Sequence, residues 1–208
     1  MKKILAFILM LSMVVMLSAC GGGAGSYYAD KYDYIADLAK AMDAEDDDRV
    51  DEICDEIADY WEDYRDKSDL FEEEMEEKYE DDARDMEDLE VDISDADISD
   101  GARDAIEEAM YAAERAISLV SMMDYTKMEK IAKTMMDVYR DCAKAAKKDD
   151  SDKVKEIARD AEDEFEAIVK EYEDAEEEYN DKINELRDEY GDDIVNQAIS
   201  KYNQAMYY

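Results

Sequence analysis

Apolar positions recur with helical spacing along most of this chain. From 47 to 89 they run Val50, Ile53, Ile57, Trp61, Tyr64, Phe71, Met75, Tyr79, Met86 and Leu89. The steps are mostly three, four or seven residues, which places them along one face of a long helix. The same spacing returns from 152 to 190 as Val154, Ile157, Ala161, Phe165, Ile168, Tyr172, Ala175, Tyr179, Ile183, Leu186 and Tyr190. From Val50 to Met86 the first stripe maps onto the second at a constant offset of 104, broken where Tyr172 meets Ser68 and Leu186 meets Asp82.

The preceding segments keep that offset. Ile35, Leu38 and Met42 fall on Tyr139, Cys142 and Ala146, and Ala39-Lys40-Ala41 recurs as Ala143-Lys144-Ala145. A register shared through two helices and a turn reads as an internal duplication of a helical hairpin, about 27–89 and 131–190. The alternative is two unrelated amphipathic hairpins built to one packing rule.

Punctuation along the chain sets the expected boundaries. Asp46 to Asp48 and Asp149 to Asp152 stand where carboxylates cap the next helix and oppose its positive end. Residues 91–101 break the stripe and are rich in Asp and Ser, so they read as the main loop. The segment 101–148 reads as one long helix, or as two with a joint near Ser121 to Thr126. Its alanines 102, 105, 109, 112, 113 and 116 make a thin rod that neighbours can approach closely. Gly191 ends the helix of 152–190, and a last helix covers 192–207. Proline is absent altogether, so little interrupts these helices.

The expected fold is therefore all-α, an elongated antiparallel helical bundle of three long helices with shorter terminal ones. Each long helix spans roughly 60–70 Å at about 1.5 Å per residue. Short turns then place both Asp-rich turns at one end, with the apolar stripes of the two hairpins facing each other. Helices 27–44 and 192–207 would share a split fourth column; a bent three-helix arrangement with loose ends is the competitor.

The N-terminus carries a different pattern. Lys2 and Lys3 precede an apolar stretch from Ile4 to Leu17, interrupted only by Ser12, and Ser18 and Ala19 follow directly before Cys20. This order of charge, apolar run and small residues reads as a secretory signal, too short to span a membrane. The run Leu17-Ser18-Ala19-Cys20 resembles the lipobox of bacterial lipoproteins. That resemblance covers residues 1–20 and implies that 1–19 are a signal peptide and that Cys20 is acylated and becomes the mature N-terminus. The expected location is the extracytoplasmic face of a cell membrane, lipid-anchored. Residues 20–26 then form a glycine-rich leash, and 27–208 the acidic bundle.

Charge narrows the partners. Removing 1–19 takes away Lys2 and Lys3 but no acid, so the formal charge of −37 becomes −39. A surface this negative repels nucleic acid and anionic headgroups, which leaves a basic protein, another cationic partner or weakly associated divalent ions as company, and leads one to expect the bundle to stand away from its membrane. With 47% of residues apolar, the chain nevertheless has material for a real core.

Candidate chemistry is thin. There is no histidine, which excludes His-based triads and His-ligated zinc. Acid runs such as Glu72 to Glu74 and Glu176 to Glu178 have nothing to drive one pKa away from another, so no catalytic residue, cofactor or metal site is expected. The loop Asp95 to Gly101 resembles a calcium loop, but with Gly101 at its sixth position Ala96 and Ile98 occupy ligand places. Cys54 lies eight residues after Asp46 and Cys142 eight before Asp150. With both turns at one end, this spacing allows a Cys54–Cys142 disulfide or two small buried thiols. Tyr27-Tyr28 and Tyr207-Tyr208 fall outside the stripes and read as an aromatic contact surface. Met122 and Met123 extend an apolar patch that another helix would cover, with a partner-binding patch as the alternative.

Overall fold

The computed structural model describes residues 23–124 and 126–207, apart from the side chains of 72, 75–77, 79–84, 87, 121–123 and 126. The signal and lipobox residues, the side chains of Met75, Tyr79, Met122 and Met123, and Tyr208 lie outside the described residues. The described chain is all α: α1 (Gly23–Asp43), α2 (Asp47–Asp95), α3 (Asp100–Met123), α4 (Thr126–Ala146), α5 (Ser151–Tyr190) and α6 (Asp192–Ala205).

Two boundaries differ from expectation. α1 already includes Gly23 to Ser26, part of the segment expected to be a leash, and Ala24 is buried in the core. α2 runs on to Asp95 through the first half of the expected loop, since Ile93 is buried and Arg103 satisfies the last carbonyls. Arg103 donates to Ile93 O at 3.1 Å and to Ala96 O at 2.7 Å.

The segment 101–148 is two helices, and their joint reorders the molecule. At Asp124 the backbone turns out of helix (φ −161°, ψ 81°), its N–H held by Val120 O at 2.6 Å while its C=O accepts from Lys127 N at 3.1 Å. The chain reverses there. α2, about 73 Å long, and α5, about 60 Å, remain the two unbroken columns. α1 runs antiparallel to α2, with Tyr60 OH donating to Asp30 at 3.3 Å. It runs parallel to the second half of α5, where Tyr28 meets Tyr179 at 5.3 Å. α6 returns from Gly191 along α1, bringing Tyr202 to 6.3 Å from Tyr34.

The other half is built the same way. α4 runs antiparallel to the first half of α5, through Lys127–Glu171 at 2.7 Å and Lys130–Glu164 at 3.0 Å. It runs parallel to the second half of α2, paired through Lys78–Glu129 and through Lys147–Asp92 at 2.8 Å. α3 lies parallel to α5, from Ser99 N on Ser151 Oγ at 2.9 Å to Arg115 between Glu166 and Glu173. This is the most extensive helix pairing, and the six alanines expected to permit close approach are all buried. Thus α3 and α1 stack end to end in one column, and α4 and α6 in another.

The expected topology is corrected accordingly. The turn 44–46 lies at the end of the bundle that carries Gly191, and the turn 147–150 lies at the opposite end beside Asp92, because α4 runs back from Asp124. α1 and α6 lie side by side rather than sharing a column. The two stripes do not meet face to face: among the described residues α2 packs on α1, α4 and α6, while α5 packs on α1, α3, α4 and α6. Both stripes still point inward. Ile53, Ile57, Trp61, Phe165, Tyr172 and Ile183 are all buried, and Ile157 is half-buried against the same core.

The offset of 104 is repeated in the turns themselves. Glu45 and Asp149 both take φ 55°. Asp46 N donates to Ala41 O and Glu45 N to Met42 O; Asp150 N donates to Ala145 O and Asp149 N to Ala146 O. These are matching Schellman closures of α1 and α4. Asp46 then caps α2 from Arg49 N at 3.1 Å, and Asp150 caps α5 from Lys153 N at 3.0 Å. Every pair is 104 residues apart, and the two copies run in opposite directions about the middle of the rod.

Candidate functional site

The middle of the rod, its waist, is where the two copies meet. Tyr28 at Tyr179, Lys127 at Glu171 and Arg65 at Met206 O put the first described turn of α1, the start of α4 with the end of α3, and the end of α6 near this level. An aromatic cluster fills the side of the waist beneath α1 and α6. Trp61 stands edge-on to Tyr27 at 6.5 Å, to Tyr60 at 5.8 Å and to Tyr64 at 5.9 Å. Tyr27 and Tyr28 meet at 5.1 Å, and Tyr28 is buried. Tyr28 is therefore core and Tyr27 packs half-buried against it, so the pair is not the contact surface expected from its place outside the stripes. Tyr207, 64% exposed, does face solvent.

Burial governs the ionisation of these rings. It pushes the phenols of Tyr28 and Tyr202 well above the ordinary range, aided at Tyr28 by Glu176, and raises Tyr179 to about 12. Lys31 lies over Tyr179 at 5.1 Å from the ring centre, and its burial lowers its pKa against the opposing pull of Glu176. Tyr28, Tyr179 and Tyr202 are thus neutral packing elements at physiological pH.

On the opposite side of the waist, Asp124 is buried where α3 turns into α4. Tyr172 is buried close by, with Lys127 Nζ over its ring at 5.2 Å from the centre. Its partner in the offset, Ser68, is also buried. The large and small members of this mismatched pair both fall at the level where the repeats adjoin, so the break in the repeat is an adjustment of packing.

The remaining candidate residues are dispersed. Cys54 and Cys142 are free thiols. Cys54 lies near the Gly191 end, and Cys142 near the other, its Sγ 4.0 Å from Val154 O. With α2 and α4 parallel, the two stand roughly 50 Å apart along the rod, far beyond disulfide reach. The reversal at Asp124 is what separates them. Burial raises both thiols, Cys142 to about 11. Asp46 and Asp150 serve as caps. The calcium-like loop is occupied by protein: the guanidinium of Arg103 takes the carbonyls of Ile93 and Ala96. Among the described residues no three Cys, Asp or Glu side chains are grouped to hold a metal ion.

One surface escaped sequence reasoning. The outer face of α6 carries Asn196, Gln197, Ser200, Asn203 and Gln204, with Lys201 beside them. An open groove along it is lined by Asn196, Ile199, Ser200, Asn203, Gln204 and Tyr207. No acid occurs after Asp193, and that was the available signal. α6 ends at the waist, where Met206 O accepts from Arg65 at 3.2 Å.

The chain matches no family profile, no curated protein and no solved structure. Among the described residues no helix is long and apolar enough to cross a membrane.

Proposed function

We propose that the chain is an extracytoplasmic lipoprotein, held to a cell membrane by lipid on Cys20, whose acidic bundle acts as a structural or protein-interaction module without catalytic activity. The observation that carries this reading is Leu17-Ser18-Ala19-Cys20 behind Lys2, Lys3 and a short apolar run. Several acyl chains on one cysteine, at about 0.8 kcal/mol per buried CH₂, give firm anchoring. The partner is a basic protein or other cationic species, because a body of charge −39 repels nucleic acid and attracts cations.

A second reading, an envelope binding protein for divalent cations or cationic solutes, is favoured by that charge. The first test is palmitate labelling in a bacterial host. Label on the native chain and none on Cys20→Ala is the expected result; unlabelled native protein would overturn the reading. Crosslinking in intact envelopes then identifies the partner. A calcium titration by calorimetry separates the two readings: weak, nonsaturating heats fit the first, and tight saturable sites the second.

A further inference from the structure

We infer that the bundle lies side-on against the bilayer, with the uncharged outer face of α6 turned to the lipid surface. The inference rests on the lipidation of Cys20 proposed above and adds an orientation to it. Its first support is chain length. Tyr28 packs on Tyr179, so Gly23 stands near the middle of α5 (Ser151–Tyr190). From there either end of the rod is roughly 25–35 Å away. Only three peptide units connect Gly23 to Cys20, a reach of about 10 Å when fully extended. A rod standing on one end needs its anchor near that end. A tether this short at the waist holds the long axis close to parallel with the membrane, and it replaces the expectation of a bundle standing away.

The second support is independent and concerns which side faces down. A body of charge −39 meets an anionic surface unfavourably over most of its circumference. The exposed positions of α6 beyond Asp193 carry no acid and one cation, Lys201. This strip runs back to the waist: Tyr34 beside Tyr202 and Arg65 on Met206 O put Tyr207 at the level of Tyr27, four residues beyond Gly23. Tyr207 is exposed there, and tyrosine suits the headgroup region, where one end is apolar and the other wet. The uncharged strip and the tether leave the rod at one place. Turning that strip to the membrane keeps the acids of α2 and α5 toward solvent, and leaves both ends of the rod free to engage a cationic partner in the plane above the bilayer.

The test uses the full chain, processed in a bacterial host and reconstituted in vesicles of phosphatidylethanolamine and phosphatidylglycerol. Fluorophores on Glu45→Cys and on Asp149→Cys, in a Cys54→Ala/Cys142→Ala background, report energy transfer to a headgroup dye. Mass spectrometry of the N-terminal peptide reports acylation of Cys20 separately. Side-on attachment gives similar, high transfer from both ends, and Ser200→Asp/Asn203→Asp/Gln204→Glu lowers both together while acylation persists. Acylated protein with one end bright and the other near zero overturns the orientation but leaves the lipoprotein reading intact. Equal, low transfer from both ends, or no response to the added acids, overturns the placement of α6. Absence of acyl chains overturns both readings.

Discussion

The twin turns offer the sharpest test of the duplication. Asp46 and Asp150 each accept one bond from the third residue of the following helix, at 3.1 and 3.0 Å, with nearly equal backbone angles. Replacing either with Ala removes the cap and leaves an amide without its partner. Such losses cost about 1 kcal/mol. Each substitution also removes one of 62 acidic side chains from a chain of net charge −37, which returns about a few tenths of a kcal/mol through weaker self-repulsion. In a chain of this size about 1 kcal/mol lowers Tm by roughly 2–4 °C. The caps are separated by nearly the whole of α2, about 65 Å, so they share no partner and their effects should add to within about 0.5 kcal/mol. Expected, then, are two equal drops and a double variant near twice either, read by thermal melting followed by circular dichroism. Asp46→Asn and Asp150→Asn separate cap from charge, because Asn caps as well as Asp, and both should stay close to the native Tm. Equal loss in the Asn and Ala variants would refute the capping argument. A large effect at one turn and none at the other would refute structural equivalence of the copies.

Four further outcomes follow from particular contacts. Gly191 takes φ 85° and ψ 153°, a region almost closed to other residues, so Gly191→Ala should cost about 1–3 kcal/mol and lower the denaturant midpoint. Arg103→Ala strips two charge-assisted bonds from the end of α2 and should cost about 1.5–3 kcal/mol, with faster amide exchange at residues 93–97 as the local readout. Burial raises Tyr139 and Tyr179 to about 12 and Cys142 to about 11 in the fold, so the unfolded chain ionises first as pH climbs. Stability should be fully present below about pH 9 and decline from there to pH 12, tracked by ellipticity and tyrosinate absorbance together. Added sodium chloride should raise Tm by screening a chain of formal charge −37, and an unchanged Tm would count against self-repulsion as a destabilising force.

Helix identity was legible because it depends on spacing, and spacing survives in a chain whose exposed positions are mostly acids. The stripes through Ile53, Trp61, Phe165 and Ile183 are buried as their period implies. The hairpin turns were legible too, since capping chemistry is local. What was not legible is the direction of α4. Nothing in Met122-Met123-Asp124 is a strong breaker, and 101–148 has the composition of one continuous rod. The reversal depends on burying Asp124 against α5, which is a tertiary event. Every topological misreading descends from that one residue: the end occupied by turn 147–150, the pairing of stripes, and the proximity of Cys54 to Cys142. The uncharged face of α6 went unread for a different reason. Its signal is a lack of acids over fifteen residues, and attention to motifs passes over what is missing.

The reversal at Asp124 also explains why the first described turn of α1 lies at the waist. Two hairpins placed head to head, each with one long and one short helix, form a rod only if each short helix covers half of the other copy's long one. The outer turns then occupy the tips, and the free ends of the short helices are driven to the centre. The first described turn of α1 therefore lies at mid-rod. A tether joined to α1 inherits that position without any residue devoted to orientation. The same reasoning places the other free ends, those of α3, α4 and α6, at the waist, so the level nearest the tether is also the one with the most helix termini and the fewest continuous backbone bonds. Local opening should concentrate there, and amide exchange across 120–128 should exceed that at turns 44–46 and 147–150. Slower exchange at the waist than at the tips would mean that the copies are fused into one cooperative column, and the head-to-head account of the rod would fail.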